Sequence, residues 1–239
     1  MIETQDYFRT EYKKINKNWN DSVSIYKKFL SNEITTNTIV LEAGCGFSNL
    51  YAEEYKKAKK VIGIDIDTRY LTMNSLISEK IISDLSHFPE IEDNSIDIII
   101  SSWVLEHLEY PEKVFKEFSR VLKKGGKFIF LTPNSWSYVV IFNKIMPKWL
   151  RNLVAKKLSG GTLLVDPMKT FYRANSILKI KRLIQNTNLQ IKQITLNGDP
   201  TYIAINRIFF YIGIVLEQFM NLPFLKYSKV HIIGVLQKK

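Results

Sequence analysis

The stretch Val40-Leu41-Glu42-Ala43-Gly44-Cys45-Gly46-Phe47 constrains this chain more than any other. An apolar run, Thr38–Glu42, stops at two glycines one residue apart, and a helical pattern resumes from Ser48 to about Lys57. Glycine belongs where the backbone takes unusual dihedrals or lets a ligand lie against it. In an open parallel sheet such a turn lies at the carboxyl edge, where ligands bind. The rest of the chain repeats the rhythm. Strands are predicted at Lys60–Ile64, Lys80–Ser83, Ile96–Ser101 and Lys127–Thr132. A helix over Pro111–Lys124 has Pro at its first turn and Gly125 past its end. Alternating strands and helices imply an α/β fold, a mostly parallel sheet with helices on both faces.

The second strand ends in Val61-Ile62-Gly63-Ile64-Asp65, with Asp65 nineteen residues after Gly46. A carboxylate there can accept hydrogen bonds from both hydroxyls of a ribose, so the expected ligand is an adenosine-containing cofactor. Two classes compete. Dinucleotide-binding loops place a third glycine against the pyrophosphate, and here that position is Asn49. Glu42 would repel a pyrophosphate but suits a cationic ligand end. These residues favour S-adenosylmethionine over NAD.

The chain resembles the class I S-adenosylmethionine-dependent methyltransferases of the small-molecule group. The matching pieces are LEAGCG at 41–46, GIDID at 63–67, SDL at 83–85, DIIISSWVLEHL at 97–108 and FSRVLKKGGKFIFLTPN at 118–134. The resemblance implies a Rossmann-like seven-stranded sheet with an antiparallel last strand, Leu189–Leu196 and His231–Gln237 supplying strands six and seven. It implies that Glu42, Gly44, Cys45 and Gly46 line the methionine portion of the cofactor. Asp65 would hold the ribose and Ile66 lie against the adenine, with Asp84 and Leu85 at its edge. Ser101, Ser102 and Trp103 would bind the cofactor, passing under its methionine part, and face the acceptor. His107 is the candidate catalytic base, since an imidazole titrates near neutrality; the alternative is a pocket-lining structural role. Quinone-precursor O-methyltransferases resemble this segment and use Glu-x-x-Glu-His to hold a divalent metal. Trp103 stands at the first Glu position, which argues against a metal site.

The remaining segments bear on the acceptor. Residues 1–37 are predicted as an N-terminal helical segment and 38–239 as the methyltransferase domain. Insertions 134–172 and 199–228 would form an acceptor-side cap, with Tyr172 and Arg173 candidates to face the acceptor. Residues 1–134 carry a net charge of −2 (18 basic, 20 acidic), and residues 135–239 carry +13 (16 basic, 3 acidic). A basic amphipathic helix is predicted after Pro147, with Trp149, Leu150, Leu153, Val154 and Leu158 on one side. Such charge fits an anionic acceptor, a membrane surface or nucleic acid. The aromatics lie in apolar runs rather than as stacking platforms, which disfavours RNA. The nine-residue run Ile208–Leu216 is too short to span a bilayer, which needs about 20 residues as a helix. One cysteine cannot form an internal disulfide, so a reducing cytosol fits.

The expected function is methyl transfer from S-adenosylmethionine to a small or lipid-like acceptor, at oxygen. The expected setting is cytoplasmic, with peripheral membrane contact through the basic half. A membrane-surface lipid or quinone methyltransferase, an RNA methyltransferase and a non-catalytic cofactor-binding protein are the alternatives.

Overall fold

The structure, a computed structural model, describes residues 5–46, 50–147, 149 and 169–239. Its strands are β1 (Ile39–Ala43), β2 (Lys60–Asp65), β3 (Glu79–Ile82), β4 (Ile96–Ser102), β5 (Leu122–Pro133), β6 (Leu189–Asn197) and β7 (His231–Lys238). They form one sheet in the order β3-β2-β1-β4-β5-β7-β6. The pairs among β1 to β5 are parallel. β7 runs the other way. Lys238 Nζ, at its end, donates to Leu122 O at the start of β5 (2.7 Å). Lys239 N donates to Asn188 O just ahead of β6 (2.9 Å). The central strands β1 and β4 are nearly continuous runs of buried apolar residues, as strands covered on both faces must be. Strand order reverses between β1 and β4, which opens a crevice beyond their carboxyl ends.

The helices are α1 (Gln5–Ile15), α2 (Ser22–Glu33), α3 (Ala52–Tyr55), α4 (Thr68–Met73), α5 (Pro111–Val121), α6 (Tyr138–Ile145), α7 (Ile177–Ile184) and α8 (Arg207–Phe219). α5 buries Val114, Phe115 and Phe118. The Phe115 and Phe118 rings meet that of Phe128 on β5 at 5.8 and 4.8 Å. The helix stops at Val121, three residues short of the predicted end. Leu122 is fully buried and pairs with Ile96, so it starts the strand. The register then slips before Lys127 meets Ile98, and Gly125 takes φ +79° inside that irregularity. Ser176 caps α7, accepting from Lys179 N (3.3 Å). The helix predicted from Ser48 is confined to α3 among the described residues, and the one predicted after Pro147 lies outside them except for Trp149.

The chain divides into two compact units. One comprises Ile25–Thr132, Thr170–Thr195 and Ile233–Lys239; the other comprises Met1–Ser24, Pro133–Lys169 and Leu196–Ile232. In the first, Tyr26 of α2 is wholly buried against the sheet. Its hydroxyl accepts from Ser101 N (3.1 Å) and lies 3.2 Å from Ile129 O. In the second, Phe8 and Tyr12 of α1 pack with Ala204, Phe210 and Ile214, and Trp19 covers them. That unit buries polar groups in pairs. Asp199 accepts from Thr201 N, Thr201 Oγ1 and Arg9 Nε. His231 sits between Ser22 Oγ and Tyr202 OH, each at 2.8 Å. Burial, with Arg9 nearby, pushes its pKa down to about 3, so it stays neutral as a structural residue.

Tyr26→Phe removes the acceptor for a buried Ser101 amide. It should lower unfolding stability by about 1–3 kcal/mol, read from the urea midpoint at constant denaturant slope.

Candidate functional site

The loop after β1 is stitched to the end of β2. Gly44 N and Cys45 N both donate to Ile64 O (2.8 and 3.1 Å), and Gly46 N donates to Asp65 Oδ2 (2.8 Å). The other carboxylate oxygen of Asp65 accepts from Asp67 N (2.9 Å). Two backbone donors therefore orient the carboxylate, and lone pairs remain for further donors. Gly44 has φ +72°, and a Cβ there would lie 2.4 Å from Val104 Cγ2. Gly46 has φ +49°, with open space where its side chain would be. Cys45 is buried, and burial pushes its thiol up to about 12. A Cβ on Gly63 would meet the Cys45 sulfur at 2.9 Å, which explains the glycine in GIDID.

Glu42 ends β1 and is 4% exposed. Burial pushes its carboxyl up to about 8, with Asp65 adding to the rise. The Tyr55 hydroxyl pulls it down from nearby without completing a hydrogen bond. Among the described residues, Glu42 Oε2 and the hydroxyls of Tyr51 and Tyr55 are buried without hydrogen-bond partners. A buried orphaned carboxylate oxygen costs free energy unless something donates to it. A ligand's cationic end would do so, and this fits an S-adenosylmethionine-type cofactor. The Tyr51 and Tyr55 rings lie 6.2 Å apart, and Tyr51 packs against Tyr26 at 5.3 Å. These tyrosines escaped the reading of the sequence, although the four-residue spacing of Tyr51 and Tyr55 was a visible signal.

The other expected residues sort into three groups. Ile66 is 64% exposed directly beyond β2. Asp84 is exposed beyond β3, its carboxylate accepting from Ser86 N (2.7 Å), and Leu85 beside it is buried. At the end of β4 the Ser101 hydroxyl donates to Ala43 O (3.1 Å), tying β4 to β1. Ser102 and Trp103 are half-buried. Trp103 has φ +59° and donates its N–H to Leu131 O (3.0 Å). Such a backbone conformation is strained in a bulky residue and clusters at functional sites.

His107 closes a short 3-10 turn, Leu105–His107, with its side chain 24% exposed. Its Nε2 lies 4.0 Å from Glu106 Oε1. Glu106 is buried; burial raises its carboxyl, while His107 and the Thr132 hydroxyl pull it back. Thr132 Oγ1 donates to Glu106 Oε2 (3.2 Å) and accepts from Asn175 Nδ2 (2.6 Å). The Glu106 carbonyl accepts from Phe171 N and Tyr172 N (2.7 and 3.1 Å). Tyr172 is half-buried with φ +54°. Arg173 is committed elsewhere, donating to Glu109 O (2.6 Å) and stacking on Phe171. The chain Glu106–Thr132–Asn175 joins residues far apart in sequence and carries no local signal.

Comparison with known proteins places this geometry. Residues 41–130 match a family described as a methyltransferase domain. An uncharacterized protein of Methanocaldococcus jannaschii is 32% identical over 155 residues, 64% of this chain and 63% of that protein. A ubiquinone biosynthesis O-methyltransferase of Nitrosococcus oceani is 30% identical over 124 residues, 49% of this chain and 52% of the enzyme. The chain thus spans roughly half to two thirds of these relatives' lengths. Among solved structures, a geranyl diphosphate C-methyltransferase of Streptomyces coelicolor superposes with a TM-score of 0.60 at 13% identity, covering 100% of this chain and 86% of that one. An S-adenosylmethionine-dependent methyltransferase of Mesorhizobium loti gives 0.58 at 16% identity, covering 89% and 95%. The sheet order and the glycine loop tied to Asp65 agree with the domain match: residues 41–130 carry a methyltransferase domain on a class I, Rossmann-like methyltransferase fold.

Proposed function

We propose that this chain transfers a methyl group from S-adenosylmethionine to a hydroxyl oxygen of a small or lipid-like acceptor. The observation that carries the cofactor half is the orphaned, buried Glu42 carboxylate beside the glycine loop. Glu42 would hold the cationic end of the cofactor and Asp65 its ribose hydroxyls. Gly44, Cys45 and Gly46 would lie along the methionine part, and Ile66, Asp84 and Leu85 would frame the adenine. When bound, the cofactor supplies an electrophilic methyl group on a sulfonium sulfur.

The protein's work is then positioning and proton handling. His107 would take the acceptor's hydroxyl proton as the oxygen bonds to the methyl carbon. Bound there, the cofactor would give up its methyl group with the sulfur–carbon electron pair retained on sulfur. Glu106, 4.0 Å from His107 Nε2, would position the imidazole. Trp103 would close the space beside the reacting atoms. The O-methyltransferase names among the relatives support oxygen as the acceptor atom. Acceptor selection is assigned to 134–172 and 199–228, the insertions in the basic, aromatic-rich half. The setting proposed is cytoplasmic.

Two measurements test this. His107→Ala should leave cofactor binding unchanged and slow turnover about 10²–10⁴-fold on a hydroxylated acceptor found by panel screening. S-adenosylhomocysteine release from amines alone, with hydroxyl compounds inert, would end the oxygen reading. Glu42 gives a second, signed test. Its carboxyl titrates near 4.5 when unfolded and about 8 when folded. Between these values the unfolded chain ionises first, so stability falls as pH rises. Glu42→Gln should therefore be more stable than wild type without ligand, by a margin that grows from pH 4.5 to 8 and then levels. The same variant should bind S-adenosylhomocysteine about tenfold more weakly or worse, since a charge-assisted hydrogen bond is lost; calorimetry reads both.

A further inference from the structure

α8 is apolar on its exposed face as well as its buried one. Its buried face holds Phe210, Gly213, Ile214 and its one acid, Glu217. Glu217 accepts from Tyr138 OH (3.3 Å) under cover. The exposed face presents Ile208, Phe209, Tyr211, Ile212, Val215 and Phe219, from 41% to 70% exposed. α6 shows the same habit, with Ile141, Phe142 and Ile145 exposed at 46%, 63% and 77%. A helix facing only water puts charge on that side, and contiguous exposed apolar surface marks an interaction site.

Charge identifies the partner. The described residues of 134–149 and 196–232 include two acids, Asp199 and Glu217, which are 2% and 4% exposed. Lys144, Arg207 and Lys226 are exposed. The exposed charges on these two described stretches are positive, and α1, packed on α8 through Phe8, adds Asp6 and Glu11 against Arg9, Lys13 and Lys14, which leaves a basic surplus. A second copy of the chain would bring this net like charge together. An anionic bilayer meets both features, taking aromatic and aliphatic side chains into its interface and attracting the flanking cations. No helix among the described residues is long and apolar enough to cross a membrane, so the contact lies along the surface.

We propose that the exposed faces of α8 and α6 dock onto an anionic lipid surface. The proposal deepens the lipid-like acceptor reading, on which its purpose rests. Its test reads binding without methyl transfer, so each can fail alone. The full chain is sedimented with phosphatidylcholine vesicles, with and without phosphatidylserine, at low and raised salt. It should pellet with the phosphatidylserine vesicles and be released by salt. Ile208→Ser/Tyr211→Ser should weaken binding about tenfold or more, and Lys226→Glu about fivefold or more. Both variants should keep wild-type melting and S-adenosylhomocysteine binding, because these side chains are exposed. The proposal is overturned if wild type stays in the supernatant with both vesicle types, or if the folded Ser variant pellets like wild type. It is overturned equally if light scattering without lipid finds a dimer that Tyr211→Ser dissociates.

Discussion

The carboxylate of Asp65 is the knot on which the site depends. It holds the amide of Gly46 through one oxygen and that of Asp67 through the other. The glycine loop and the turn after β2 are thereby fixed to one group. The knot forms only because Gly44 and Gly46 adopt left-handed backbone conformations and Gly63 leaves room for the Cys45 sulfur. An asparagine at 65 would keep the shape but could accept through only one atom. The charge also matters electrostatically, since Asp65 raises the carboxyl of Glu42. Two acids at neighbouring strand ends resist joint ionisation. A cationic ligand end between them would relieve that resistance.

The far side of the site is organised by hydrogen bonds that begin on β5. Thr132 lies at the end of that strand, wholly buried, between the Glu106 carboxylate and the Asn175 amide. Glu106 also holds the 171–172 backbone through its carbonyl. One buried acid thus locates both the imidazole of His107 and the segment leading to α7. Burial alone would leave Glu106 neutral, and the surrounding donors and His107 act against that. His107 is among the groups that pull the Glu106 carboxyl back down, so the two side chains are neighbours in one network.

Much of this was legible in the sequence because it is local. Strands buried on both faces read as apolar runs, and turns that need positive φ read as glycines. The end of α5 was misplaced because Lys123, Lys124 and Gly125 look like a helix terminus. Burial of Leu122 in the sheet overrode that signal. The Ser101 hydroxyl donates to Ala43 O, a tertiary contact that no local pattern announces. Tyr26, Thr132 and Asn175 were invisible because their partners lie 26 to 103 residues away.

The basic excess of the C-terminal half also takes on physical meaning only with burial included. Formal charge counts Asp199 and Glu217 as offsetting two cations. Both are withdrawn from solvent, and burial pushes Glu217 up to about 7. A group titrating there is only partly ionised near neutrality. Asp199, bonded to Arg9 and Thr201, directs its charge inward. Less negative potential reaches the surface than the sequence count implies. The exposed apolar residues of α8 then sit beside Arg207 and Lys226, with the acids of the neighbouring α1, Asp6 and Glu11, paired to Arg9 and Lys14. That arrangement is costly in water and is offset only by a partner that is both apolar and anionic.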